Sequence, residues 1–323
     1  MTARLQALAE RAARGGGPGL VLLVDAPGLG VRARVAAGGI AARSPIRIAS
    51  VTKTVTAALA LRLAEDGALD LDAPLEGPWK VTLREALGHR AGLPDVFGRL
   101  LDAEIAAGGR RERDSWDPAE MVAVVAGEPR PPRGAFRYSD TGYVLAGMAI
   151  ERATGAPLHR AYRRLVLDPL GMEATYLEGR EPSRGVPATP WAPAFDPGAI
   201  DPTIDWGGGG LVSTADDLLR LVRGLHGGRV VGRTSLRAMT TMAPAGDGAF
   251  ARVEAYGLGL ARWNAGGAGL VGHGGVWGAF AYLWPETGAA VVGSVNRMGA
   301  FGAAAAELLD GVVDTLTTAG RAG

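Results

Sequence analysis

The chain has 323 residues, 47% of them apolar and 21% charged, and its 34 basic and 33 acidic side chains leave a formal net charge of +1. That balance fits one large globular domain, or a domain carrying an insertion, and gives no electrostatic case for binding nucleic acid. Cysteine is absent, which excludes disulfides, thiolate metal sites and a cysteine nucleophile, and no run approaches the ~20 apolar residues of a membrane span.

Taken in order, Met1 to Arg14 has helical periodicity and ends at the glycine break Gly15 to Gly19. Leu20 to Asp25 and Val31 to Ala36 are expected strands joined at Pro27-Gly28. The first of these runs is too short for a secretion signal and has no cleavage site, so a cytoplasmic protein is the expectation. Arg47 to Ala49 approaches a helix predicted from Ser50 to about Asp66, with Gly67 as its stop. Val55 to Leu63 is apolar on nearly every side, which predicts a buried helix.

From Ala68 to Trp206 short helices, loops and prolines dominate. Leu83 to His89 is predicted helical, Asp117-Pro118-Ala119-Glu120 caps a helix over Met121 to Ala126, and Thr141 to Thr154 and Leu158 to Leu167 are two more. Arg110-Arg111-Glu112-Arg113 is expected to be a solvated loop. Glu178 to Ile204, proline-rich and irregular, is expected to form a rim or lid. Thr214-Ala215-Asp216-Asp217 then caps a helix through Leu225, and Thr234 to Thr241 is another. Tyr256 to Trp263, Leu270 to Gly274, Ala279 to Trp284 and Ala289 to Asn296 are predicted antiparallel strands, with Pro285 to Gly288 as a turn and Ala300 to Leu316 as a closing helix. Strands at both ends around a helical block predict an α/β fold: residues 1–67 and 207–323 as one domain, 68–206 as an inserted, mainly helical lobe.

The chemistry centres on Ser50-Val51-Thr52-Lys53. A three-residue spacing near a helix start puts the Ser50 hydroxyl and the Lys53 amine on one face. Burial would lower the lysine's pKa and let a neutral amine act as base. Lys53 and Lys80 are the chain's only lysines among its 34 basic residues. A lysine kept in an arginine-rich chain points to a task that needs titration. Tyr138 could relay protons if the lysine's charge lowered its pKa. Glycines around His273 at a strand edge could expose amides to a developing oxyanion. Taken singly, each has a plainer explanation: a lysine snorkelling at a helix edge, a packed tyrosine, a glycine turn beside a satisfied histidine. His89, His159, His226 and His273 show no metal-ligand spacing, and no metal or cofactor is expected. No Gly-x-Ser-x-Gly elbow is present, and Gly207 to Gly210 is followed by no lysine, so it is not a phosphate loop.

Together, Ile48 to Thr54, Gly92-Leu93-Pro94, Tyr138 to Tyr143, Pro169 to Met172, Gly209 to Leu218 and Gly272 to Gly275 resemble the serine β-lactamase and penicillin-binding-protein superfamily. The branch is that of class C β-lactamases, D-alanyl-D-alanine carboxypeptidases, D-aminopeptidases and β-lactamase-like esterases. The resemblance covers nearly the whole chain. It implies an antiparallel sheet flanked by helices, with the inserted lobe across a cleft. It further implies Ser50 as the acylated nucleophile, Lys53 and Tyr138 as proton-transfer partners, the Ser50 and Val276 amides as an oxyanion hole, and Asp140, His273, Gly274 and Gly275 as substrate-binding residues.

Two departures shape the substrate expectation. Asp140 stands where most penicillin-recognising relatives have asparagine; a carboxylate only accepts hydrogen bonds, and beside Lys53 it would raise the lysine's pKa and move the base role towards Tyr138. His273-Gly274 replaces a Lys-Thr pair that grips a substrate carboxylate in many relatives. The expectation is therefore an esterase on small esters or amides. The alternatives are a D-aminopeptidase, D-alanyl-D-alanine carboxypeptidase or class C-like β-lactamase, and, from another class, an inert binding or sensing module.

Overall fold

The computed structural model describes residues 1–14, 19–108, 115–246, 252–299 and 303–322; the Arg110 to Arg113 cluster and most of the first glycine break lie outside the described residues. Helix α1 (Thr2–Ala13) precedes a hairpin of β1 (Leu20–Ala26) and β2 (Val31–Ala37). Short β3 (Ile46–Arg47) leads towards α2 (Thr52–Glu65). Six helices follow, α3 (Leu83–Leu87), α4 (Val96–Ala106), α5 (Pro118–Val125), α6 (Thr141–Thr154), α7 (Leu158–Tyr162) and α8 (Asp168–Leu170), and then β4 (Tyr176–Leu177). The chain continues through α9 (Trp206–Gly209), β5 (Leu211–Ser213), α10 (Ala215–His226) and α11 (Arg233–Thr240). It ends with β6 (Ala243–Pro244), β7 (Val253–Tyr256), β8 (Ala261–Ala265), β9 (Ala268–Gly274), β10 (Ala279–Trp284), β11 (Ala289–Ser294) and α12 (Ala304–Ala322).

Eight strands form one antiparallel sheet in the order β2-β1-β11-β10-β9-β8-β7-β6, so the first hairpin docks against the last strand; β3, β5 and β4 form a small second sheet. Side chains alternate across the large sheet. Leu20, Leu22 and Val24 pack with Leu5 of α1 and Leu309 of α12, whereas Val21 and Leu23 join the core built on α2 and α10. Both faces of β1 are covered, which is why its sequence is apolar nearly throughout. Among the described residues of 68–206, only β4 is strand, and it belongs to the small sheet.

Local chemistry sets the helix ends. Gly67 follows α2 at φ 73, a left-handed conformation that suits a residue without Cβ. Capping boxes close on Thr82 with Glu85 and on Asp117 with Glu120, and the Thr214 side chain accepts the Asp217 N–H. Helix α2 is buried on nearly every side, as its composition predicts.

Some elements differ from expectation. Tyr256 to Trp263 is not one strand but the end of β7, a tight connection and the start of β8, with Tyr256 opposite Ala261. The connection is buried against α2 and so carries the apolar residues of a strand. A side chain at Gly259 would sit 2.3 Å from Ala57 Cβ, and one at Gly257 would sit 1.9 Å from the Met239 carbonyl. Helix α4 was not anticipated; Val96, Leu100 and Leu101 are its buried stripe, behind Asp95 at its start. Beyond Tyr162 the helix predicted over Leu158 to Leu167 widens into π geometry over Arg163–Leu167. No helix among the described residues is long and apolar enough to cross a membrane.

Candidate active site

Ser50 lies in a single 3-10 turn, Ala49–Val51, that runs directly into α2, rather than in the α-helix itself. The turn is entered through Ala49 at φ 44, a conformation costly for a residue with a side chain. Neighbouring structure holds it there: the Ile48 N–H donates to the Leu211 carbonyl at 3.0 Å, and Thr52 Oγ1 accepts the Leu211 N–H at 3.2 Å. One turn on, Lys53 Nζ donates to Ser50 Oγ at 2.9 Å.

Lys53 is fully buried, and it also donates to the Gly208 carbonyl at 2.8 Å and to Asp140 Oδ1. An ammonium has three donors, and these three acceptors and the Tyr138 hydroxyl share them. The expectation of a lysine lowered by burial is corrected here. Burial does pull the amine down, but the carboxylate of Asp140, reinforced by Tyr138 and Asp205, outweighs it and holds the pKa above its ordinary value. Lys53 is an ammonium in the resting site.

Tyr138 brings its hydroxyl into hydrogen-bonding contact with both Lys53 and Ser50, and the Lys53 ammonium stands 5.0 Å from its ring centroid. Its pKa is also moved opposite to expectation. Burial raises it, and the lysine's charge only partly offsets that. The phenol is positioned by His89, whose ring stacks on it at 4.1 Å and whose Nδ1 accepts the Ser139 N–H at 3.2 Å. Asp140, at the start of α6, is held from behind, its N–H donating to Asp95 Oδ1 at 2.7 Å.

Strand β9 supplies the opposite wall. His273 Nδ1 lies 2.6 Å from the Gly274 carbonyl, which can only accept, so the proton sits on Nδ1. Nε2 then accepts from the Tyr256 hydroxyl at 2.9 Å. Burial, then the Lys53 charge, push the His273 pKa down to about 3, so the ring is neutral with both nitrogens committed to the protein. Beyond it, a Cβ on Gly275 would fall 2.4 Å from the Ile48 carbonyl, so only glycine lets the β9–β10 turn press against the Ser50 turn. No oxygen among the described residues accepts the Val276 N–H. The Ser50 N–H precedes the first donor of its turn, that of Val51, as expected where unpaired amides gather.

These residues share one cavity of about 400 Å³, lined by Ser50, Tyr138, Asp140, His273, Gly274, Gly275 and Val276. Lys53 reaches it only through Ser50 and Tyr138. Phe97, Phe136 and Tyr256 add aromatic wall, and Asp95 and Asp205 add two further carboxylates. Sequence reasoning passed over His89, Asp95 and Asp205. Asp95 follows the Gly92-Leu93-Pro94 motif and Asp205 precedes a glycine run, but no spacing along the chain ties either to Ser50; only the fold does.

The Beta-lactamase family model matches residues 5–313. Esterase EstB of Burkholderia gladioli is 31% identical over 261 residues, which cover 66% of this chain and 65% of the esterase, so the chain spans just under two thirds of that relative. The D-amino acid amidase of Ochrobactrum anthropi SV3 superposes with a TM-score of 0.84 at 26% identity over 98% of each chain. A D-stereospecific amidohydrolase from a Streptomyces species superposes at 0.79, with 29% identity over 92% of this chain and 95% of its own.

Proposed function

Because this chain belongs to the Beta-lactamase family, we propose that it is a serine hydrolase in which a small ester or amide acylates Ser50 and water then releases the acid. One observation carries the reading: Lys53, paired with Asp140, donates to Ser50 Oγ at 2.9 Å while the Tyr138 hydroxyl touches both Ser50 and Lys53. An ammonium with its donors filled stabilises charge but accepts no proton. Tyr138, as phenolate, is then the group that takes the Ser50 proton as Oγ attacks the carbonyl, and it returns that proton to the leaving oxygen or nitrogen. In deacylation it takes a proton from the attacking water and gives it to Ser50 Oγ. The Ser50 and Val276 amides receive the oxyanion in both steps, where one such donor is worth ~3 kcal/mol.

In this reading residues 68–206 are an inserted lobe that brings Asp95, Tyr138 and Asp140 to the cleft, and 1–67 with 207–323 bring Ser50, Lys53 and His273. The substrate lacks a carboxylate near the reacting bond. Lys53 is spent on Asp140 and His273 is neutral, so neither offers the cation that β-lactams and D-alanyl-D-alanine ends require. Ester and amide hydrolysis both fall within this reading, since an esterase and a D-amino acid amidase are both similar to this chain. The test is intact-protein mass spectrometry after mixing with p-nitrophenyl esters, D-amino-acid amides and penicillins. An acyl adduct that maps to Ser50 and is absent from Ser50→Ala is expected; turnover retained by Ser50→Ala overturns the reading.

A further inference from the structure

Asp205 stands at the start of α9, where an aspartate ordinarily turns its carboxylate onto the helix's first amides. It does not do so here: the side chain makes no capping bond, and the Gly208 and Gly209 N–H groups both donate to its backbone carbonyl at 2.8 Å. The carboxylate lines the Ser50 cavity instead. Asp95, at the start of α4, lines the same cavity, but its carboxylate is partly engaged, accepting the Asp140 N–H and a backbone N–H of Gly98.

Among the described residues neither carboxylate pairs directly with a cation; Lys53, and for Asp205 also Arg47, act on them only from a distance. Lys53 is buried with its donors shared among Ser50, Asp140, Gly208 and the Tyr138 hydroxyl. Arg47, the next cation, forks onto both oxygens of Glu178 at 2.8 and 3.0 Å and onto the Pro197 carbonyl at 2.8 Å. His273 and His89 are both held neutral by burial. The like charges crowd one another: burial, then Asp140, raise Asp205 to about 7, against a smaller lowering by Lys53 and Arg47. Among the described residues no three histidine, aspartate or glutamate side chains converge as a metal would need. The aromatic walls, Phe97, Phe136 and Tyr256, favour an organic cation, whose charge their ring faces attract.

We propose that Asp205, assisted by Asp95, binds a substrate ammonium group, so that the enzyme selects amino esters and amino-acid amides over uncharged analogues. This rests on the Ser50 acyl-enzyme reading for its chemistry but not for its binding. An ammonium entering the cavity supplies donors to a carboxylate that has none, a charge-assisted contact of the stronger kind.

The test uses the whole chain and matched substrates, D- and L-alanine p-nitroanilide against their N-acetyl forms, in wild type, Asp205→Asn and Asp95→Asn. The expected result is a kcat/KM ratio favouring the free amine in wild type. In Asp205→Asn that ratio falls by about tenfold or more, mainly through the KM of the amine, and in Asp95→Asn it falls by less. Benzylamine, measured by calorimetry and by competition, is expected to bind wild type more tightly than benzyl alcohol does and to lose that advantage in Asp205→Asn. Ratios that do not move in either variant, or equal binding of benzylamine and benzyl alcohol by wild type, overturn the proposal. Ser50-dependent turnover of neutral esters alongside an unmoved ratio would leave the hydrolase reading standing without it. Benzylamine binding without any turnover would do the reverse. Should Asp205→Asn not fold, wild-type benzylamine binding still decides.

Discussion

The two walls of the cavity bury a nitrogen base each, with opposite results. On the α2 side Lys53 is fully buried and stays charged; on the β9 side His273 is 5% exposed and is neutral, pushed down to about 3. Burial acts on both in the same direction, disfavouring the cation. The difference lies in the partner. Lys53 meets the carboxylate of Asp140, whereas His273 meets only a tyrosine hydroxyl, its neighbour's carbonyl and, further off, the charge of Lys53 itself. Charge in this site is thus set by the nearest counter-ion rather than by depth: the α2 wall holds a cation, and the β9 wall a neutral ring and glycine backbone.

That contrast can be broken most completely at the nucleophile. Ser50→Ala is expected to cut kcat for p-nitrophenyl esters roughly 10⁴-fold or more, with the loss of the acyl adduct as the check. Next, Tyr138→Phe should cost about 10²–10⁴-fold in kcat with the fold intact by circular dichroism. Burial holds the Tyr138 phenol above its ordinary pKa, so the phenolate fraction is small at neutral pH and grows with each unit. The wild-type rate on a neutral ester should therefore climb between about pH 6 and 9 without a plateau, and a flat profile would remove Tyr138 from the base role.

The β9 wall can be broken through its backbone. A Cβ at Gly275 meets the Ile48 carbonyl at 2.4 Å, so Gly275→Ala must part the two turns. The expected loss is about 10²-fold in kcat with a smaller change in KM, as for removal of one oxyanion donor. Sharpening the comparison needs subtler variants. Asp140→Asn removes the strongest of the groups that oppose burial at Lys53, so the lysine's pKa falls and the alkaline rise of the rate moves to lower pH; the new amide donor should also improve turnover of acylamino substrates such as a chromogenic cephalosporin. His273→Lys, the smallest effect, should raise turnover of a carboxylate-bearing substrate by about threefold through a partly screened charge.

Much of this was legible along the chain because it depends on local rules. The apolar run of β1, the capping residues Asp117 and Thr214, the stop at Gly67 and the three-residue step from Ser50 to Lys53 are all set by period, cap or spacing. So were the motifs around Tyr138 and Gly275, whose order marked the family. The β7–β8 hairpin was missed because a connection packed on α2 has the composition of a strand. Helix α4 was missed because it starts directly behind the Gly92-Leu93-Pro94 turn and Gly98 interrupts its first turn.

The sequence by itself determined which elements form and which side chains are available to them, since periodicity, caps and glycine positions act over a few residues. Only the tertiary structure decided the protonation of Lys53, Tyr138 and His273 and the gathering of Asp95, Asp140 and Asp205 around one cavity. Those outcomes depend on electrostatic fields between segments far apart in the chain, and such fields exist only once folding has excluded water and fixed the distances.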